Sequence, residues 1–273
     1  MSLTDFAINL GHLLFGLTDD PVLPGHPQLL EHVFQILKVY MRLERIDRLE
    51  AAIPVYEHSD FFVLIGSLAF GADFKIADCC FEMVAKCLES QIFCSALCGS
   101  TLVVEMGRHA GDLSLASSIL KLLNQLLVTG ESDLVGQVVQ NEPLLGLIWR
   151  LFMEENGPIW QSALHALAAL FLIADEPRIA ALAQDAIAIF NKALYCVTPL
   201  NAYKVNDDLS ILLGALLDFS RHSGINPNPF RQAARDTPDL RGRMEDCGHI
   251  FQDLSRQIWG DQDPQSTNWS SEN

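Results

Sequence analysis

The fold class predicted for this chain is all-α: a right-handed α-solenoid of about five helical repeats, closed by a C-terminal capping helix. Three observations predict it. A helix, tight turn, helix unit recurs at intervals of about 40 to 50 residues, with turns near Gly25, Gly71, Gly111 and Gly157 and a glycine-free equivalent at Asn206 and Asp207. In the second helix of each unit the apolar residues fall at three- and four-residue spacing, the stripe of a helix buried on one side. Apolar residues make up 49% of 273 residues, enough for a continuous core.

The second helices line up in order. Pro27 to Leu43 offers Leu30, Val33, Phe34, Leu37 and Met41, and Asp73 to Leu88 offers Ile76, Cys80, Met83, Val84 and Cys87. Asp112 to Val128 offers Leu115, Ile119, Leu122, Leu123 and Leu126; Pro158 to Ala174 offers Ala163, Leu167, Leu170 and Phe171. Each starts within three residues of Gly or Pro, which supply the tight turn or the fixed φ of a first helical turn. The preceding helices are Phe6 to Leu17, Tyr56 to Phe70, Ile92 to Arg108 and Pro143 to Met153. Short extra helices, Leu43 to Ala52 and Asp133 to Gln140, precede two of the units.

A fifth, less regular unit has a helix from Ile179 to Val197, a break at Thr198 to Asn201, and a helix from Asp208 to Ser220. The repeat domain is therefore expected over 1–221, followed by a loop over 222–236, where His222-Ser-Gly-Ile-Asn-Pro-Asn-Pro-Phe230 is rich in turn formers. A capping helix is expected over 237–259, with Ile250, Leu254 and Ile258 on one stripe, and a disordered tail over 260–273.

In period and pattern, residues 1–221 resemble the armadillo/HEAT superfamily, with three helices per unit, the first one short, favouring the armadillo form. Armadillo proteins that grip extended peptides clamp the ligand backbone with a ladder of Asn on the last helix of successive repeats. Here the matching helices offer Asn124 alone, with Lys86, His165 and Tyr40 in comparable regions, so the ladder is missing.

Acids outnumber bases 34 to 18, a formal charge of −16, so nucleic acid is disfavoured and a basic or amphipathic protein segment is the expected partner. The N-terminus lacks the pattern of a secretory signal, and the longest apolar runs fall short of the ~20 residues of a membrane span. Seven cysteines, an odd number lying within helical patterns, fit reduced thiols in cytoplasm or nucleus.

Several constellations invite a chemical reading. Cys80 and Cys87, with Cys94 and Cys98 on the next helix, could converge on zinc, but the short knuckle spacing of structural zinc sites is missing, and small buried apolar residues are expected instead. His26, Glu31 and His32 do not have the one-turn His spacing of a zinc peptidase. Asp19-Asp20 and Asp207-Asp208 read as turn caps. Arg42, Arg45 and Arg48 alternate with Glu44, Asp47 and Glu50, either as a self-paired solvated face or as a polar contact patch. Nucleophile-elbow and phosphate-loop motifs do not occur, so neither catalysis nor a cofactor or metal is expected.

The expectation is a non-catalytic scaffold or adaptor that holds a partner segment on the face built from the second helices. Trp149, Glu154, Glu155, Trp160 and His165 are the candidate contributors, an aromatic anchor beside carboxylates suiting Arg or Lys, with ordinary core burial as the alternative for the two tryptophans. Two other roles compete: a structural subunit or assembly factor, and a helical metal-dependent enzyme.

Overall fold

The computed structural model describes residues 27–43, 46–53, 58–71, 74–129, 132–154, 158–173, 186–222 and 229–260. Regular structure among the described residues is entirely helical. The helix expected over Phe6 to Leu17, the turns at Gly25 and Gly157, and the tail over 261–273 lie outside the described residues. The chain forms two compact units, Met1–Ala166 and Leu167–Asn273, so the division does not coincide with the boundary expected at residue 221.

In the first unit the helices are α1 (Pro27–Met41), α2 (Ile46–Ala52), α3 (His58–Gly71), α4 (Phe74–Cys87), α5 (Gln91–Cys98), α6 (Leu102–Arg108), α7 (Ala116–Thr129), α8 (Ser132–Val139) and α9 (Glu142–Glu154). The division falls within α10 (Pro158–Ile173). The stripe residues are the core: Val33 and Leu37 of α1, Ile76, Cys80, Met83, Val84 and Cys87 of α4, and Ile119, Leu122, Leu123 and Leu126 of α7 are all buried.

Ile92 to Arg108 was expected as one helix and is two. Ser100 makes the break: its buried hydroxyl donates to Leu97 O at 2.8 Å, closing α5, and accepts from Leu102 N at 3.3 Å, opening α6. One small polar side chain thus satisfies a free carbonyl and a free amide that the interruption creates.

Helices of like position pack on one another. α1 packs on α4 and α4 on α7, while α3 packs on α6 and α6 on α9. Side-chain hydrogen bonds follow the same rows. Ser118 of α7 donates to Asp78 of α4 at 3.1 Å, and Asn124 of α7 donates to Ser162 O of α10 at 3.0 Å. The Asn141 amide, next to α9, donates to Val103 O of α6 at 3.0 Å, and Arg150 of α9 donates to Ala110 O at 3.2 Å. Between the short helices, Ser90 donates to Glu50, and Gln137 of α8 donates to Cys98 O at 2.8 Å. All six bonds span 38 to 40 residues of chain.

Gly107 is required by one of these approaches. A Cβ there would lie 2.2 Å from Asn141 Oδ1, the atom that accepts from Leu144 N at 3.2 Å to cap α9.

The second unit holds α11 (Ala186–Cys196), α12 (Tyr203–His222), α13 (Pro229–Asp236), α14 (Leu240–Asp246), a 3₁₀ turn (Gly248–Phe251) and α15 (Gln252–Trp259). Four expectations are corrected here. Asn206 and Asp207 are not a turn but part of α12; the turn is at 198–202, and buried Asn206 ties it down by donating to Thr198 O at 3.0 Å and accepting from Asn201 at 3.2 Å. Asp207 and Asp208 consequently sit in the second turn of a helix and do not begin it.

Within the loop expected over 222–236, residues 229–236 are helical: Pro229 fits the first helical turn, and Phe230 and Ala234, one turn apart, are buried, with Phe230 edge-on to Phe190 at 5.0 Å. The single capping helix expected over 237–259 is broken at Gly248, whose φ of +74° is open to glycine. Its pieces still keep one apolar side, with Leu240, Met244, Phe251, Leu254 and Ile258 buried.

Candidate partner-binding surface

On α1, Phe34, Lys38 and Met41 fall on one face with Arg42 just past the helix end, and on α4 Lys75, Asp78, Cys79 and Glu82 share a face. Because α1 packs beside α4, these faces meet in a depression of about 480 Å³ lined by all eight residues. Phe34, Met41 and Cys79 form its apolar part. The Lys38 ammonium lies 4.5 Å from the centre of the Phe34 ring, and Lys38, Arg42 and Lys75 are exposed. Phe34 and Met41 were assigned to the core stripe by periodicity alone; they are half-buried and line this groove.

Both groove acids are engaged by α7. Asp78 accepts from Ser118, and Glu82 lies 3.5 Å from Lys121 across an exposed pair. The Cys79 thiol is pushed up to about 11, first by burial, then by the charge of Glu82, with Lys38 opposing and Asp78 adding to the rise. It is a neutral floor residue near pH 7.

The residues singled out from the sequence lie on other helices. Trp160 of α10 is only 8% exposed and stacks on Phe152 of α9 with ring centres 6.0 Å apart. It holds the α9–α10 joint, so the exposed anchor expected of it is not there. Trp149 is half-buried on α9, Glu154 is exposed at the end of that helix, and His165 is half-buried on α10. Glu155 lies outside the described residues.

The side chains compared with a peptide-clamping ladder serve the fold. Lys86 donates to Met41 O at 3.0 Å and to Leu43 O, holding the end of α1. The Asn124 amide is bound to α10, and Tyr40 is buried. Glu50 accepts from Ser90, so the charged face around Arg42 is not purely self-paired.

No disulfide joins any of the seven cysteines. Cys80 and Cys87 are fully buried and burial pushes both thiols up, while the Cys94 thiol donates to Leu88 O at 3.5 Å. Among the described residues, no three His, Cys, Asp or Glu come together in a way that would hold a metal ion, and no helix is long and apolar enough to cross a membrane. His26 and Asp19-Asp20 lie outside the described residues; Glu31 and His32 are exposed on α1.

No protein-family model matches the chain, and no curated protein matches it in sequence. Among solved structures it is similar to two engineered proteins crystallised by the Northeast Structural Genomics Consortium. One aligns with a TM-score of 0.52 at 10% identity, covering 81% of this chain and 96% of the other; the second aligns with a TM-score of 0.51 at 9% identity, covering 92% and 76%. At such identities the likeness concerns the fold alone.

Proposed function

We propose that this chain is a non-catalytic interaction scaffold or adaptor, an α-solenoid of armadillo/HEAT-like repeats that holds a segment of a partner protein on the face made by α1, α4 and α7. The observation that carries the reading is the register of the first unit: short helix bonds to short helix, and last helix to last helix, 38 to 40 residues apart. A helix triplet that cannot bury its apolar side alone stacks on its neighbour, and stacking leaves one edge of every triplet open. On that edge the groove between α1 and α4 offers apolar floor and charged rim together, the composition of a segment-binding site.

Cross-linking mass spectrometry on complexes captured by the full chain, with amine- and carboxyl-reactive reagents, tests this. Links should concentrate on Lys38, Lys75, Asp78 and Lys121; links confined to Glu105 and Glu154, on the α6 and α9 row, would overturn it.

A second reading, a permanently assembled subunit, draws support from the second unit. Tyr195, Leu200 and Tyr203, within nine residues of chain, are 68%, 93% and 62% exposed. Sedimentation velocity separates the two: a stable dimer, or a lone chain that precipitates, favours the subunit.

A further inference from the structure

Resting on the scaffold reading, we propose that the α1–α4 groove takes an acidic protein segment carrying an apolar side chain, a partner opposite in sign to the one the net charge suggests.

The argument is local charge set against global charge. Lys38, Arg42 and Lys75 line the groove, three cations against two acids, Asp78 and Glu82. Three minus two leaves a local surplus of +1 in a chain whose formal charge is −16. Both acids already face α7 partners, whereas the Arg42 guanidinium has no hydrogen-bond or ion-pair partner among the described residues. A carboxylate entering the groove therefore meets a planar donor fork at Arg42 and an ammonium at Lys38, and an adjacent apolar side chain meets Phe34, Met41 and Cys79.

Range separates the candidate anions. At physiological salt the field of a charge falls off within roughly 8 Å, so a short acidic segment inside the groove feels mainly the local cations. A nucleic-acid duplex carries charge along its whole length and reaches well past the groove, where the net charge of −16 opposes it. A second copy of this chain brings the same net charge of −16 and meets the same opposition.

The experiment is selection of a displayed random-peptide library on the full chain, repeated on the exposed double variant Lys38→Glu/Arg42→Glu, whose fold is checked by circular dichroism. Enriched peptides should combine Asp or Glu with Leu, Phe or Trp, and should bind the double variant at least about ten-fold more weakly by fluorescence anisotropy. The milder Arg42→Ala should weaken them in the same direction. Enrichment of Lys- and Arg-rich peptides, equal affinity for the double variant, failure to enrich any peptide, or displacement of the peptides by a short DNA duplex at equal concentration would each overturn the proposal. If basic peptides win but still cross-link to Lys75 and Lys121, the charge assignment fails and the scaffold reading stands. If no binder cross-links to this row, the scaffold reading fails too.

Discussion

Gly107 and Asn141 show how closely one position constrains another. A methyl at 107 would displace an amide that caps α9 with one atom and bonds α6 with the other. Gly107→Ala should cost about 1–3 kcal/mol, as overpacking does, and Asn141→Ala about the same through the lost cap and bond. The double variant should lose clearly less than the two losses added, because both act through the same amide; urea denaturation of the four proteins measures this. Trp160→Ala should cost about 3–5 kcal/mol, as expected of a buried aromatic, and leave binding at the α1–α4 groove unchanged. Alkaline pH supplies another handle. Cys79 titrates at about 11 in the fold against 9.0 ordinarily, so the folded state retains the thiol proton more tightly than the unfolded chain. Stability from this source is fully present below pH 9 and is lost as pH rises through about 11. Urea midpoints should therefore fall over that window, and fall less steeply in Cys79→Ala. The side chains that mattered at this scale were only half legible beforehand. Trp149 and Trp160 stood out as aromatics near carboxylates, yet an aromatic at a helix junction gains most by burial, and Trp160 is buried.

Among the helices, those buried on one side were readable from their stripes: α1, α4, α7 and α10 lie within a few residues of where periodicity puts them. Interruptions were harder. Ser100 carries its own replacement for helical hydrogen bonds, and Asn206 ties a turn together from inside the following helix, so residue type announced a turn without placing it. In α13, Pro229 marked a start that the neighbouring Asn and Pro residues disguised as a loop. The groove was hidden for a related reason: Phe34 and Met41 continue the spacing of the core stripe, and whether such a residue faces a neighbour or an open edge depends on the helix packed alongside. Leu122, 1% exposed in α7, tests the coupling between helices. Leu122→Asp places an unpaired charge in the seam and should cost about 4 kcal/mol or more. Hydrogen exchange should then quicken together in α7 and in α4 and α8, which pack on it; faster exchange confined to α7 would contradict stacking.

Over the whole molecule, a charge of −16 governs the approach of any charged ligand, whereas a complex of the kind proposed would be held by the groove. The two terms have different ranges, which makes salt a diagnostic. Between about 0.01 M and 0.15 M the screening length shrinks from about 30 Å to about 8 Å, removing long-range repulsion of an acidic segment while leaving contact attraction largely in place. Stopped-flow measurements with an acidic peptide should show its association rate rising over this interval; a falling rate would mean that attraction by the groove cations, and not repulsion by the net charge, sets its approach.

The bonds that join residues 38 to 40 positions apart have a further consequence for how such a chain can change in length. Excising one full period keeps short helix opposite short helix and last helix opposite last helix at the rejoined seam, although the side-chain bonds there are not the same from one seam to the next. Removing half a period sets short helices against long ones and leaves every seam without its match. Growth or loss by whole triplets is thus the inexpensive direction of variation, and the length of the open edge can be altered in quanta.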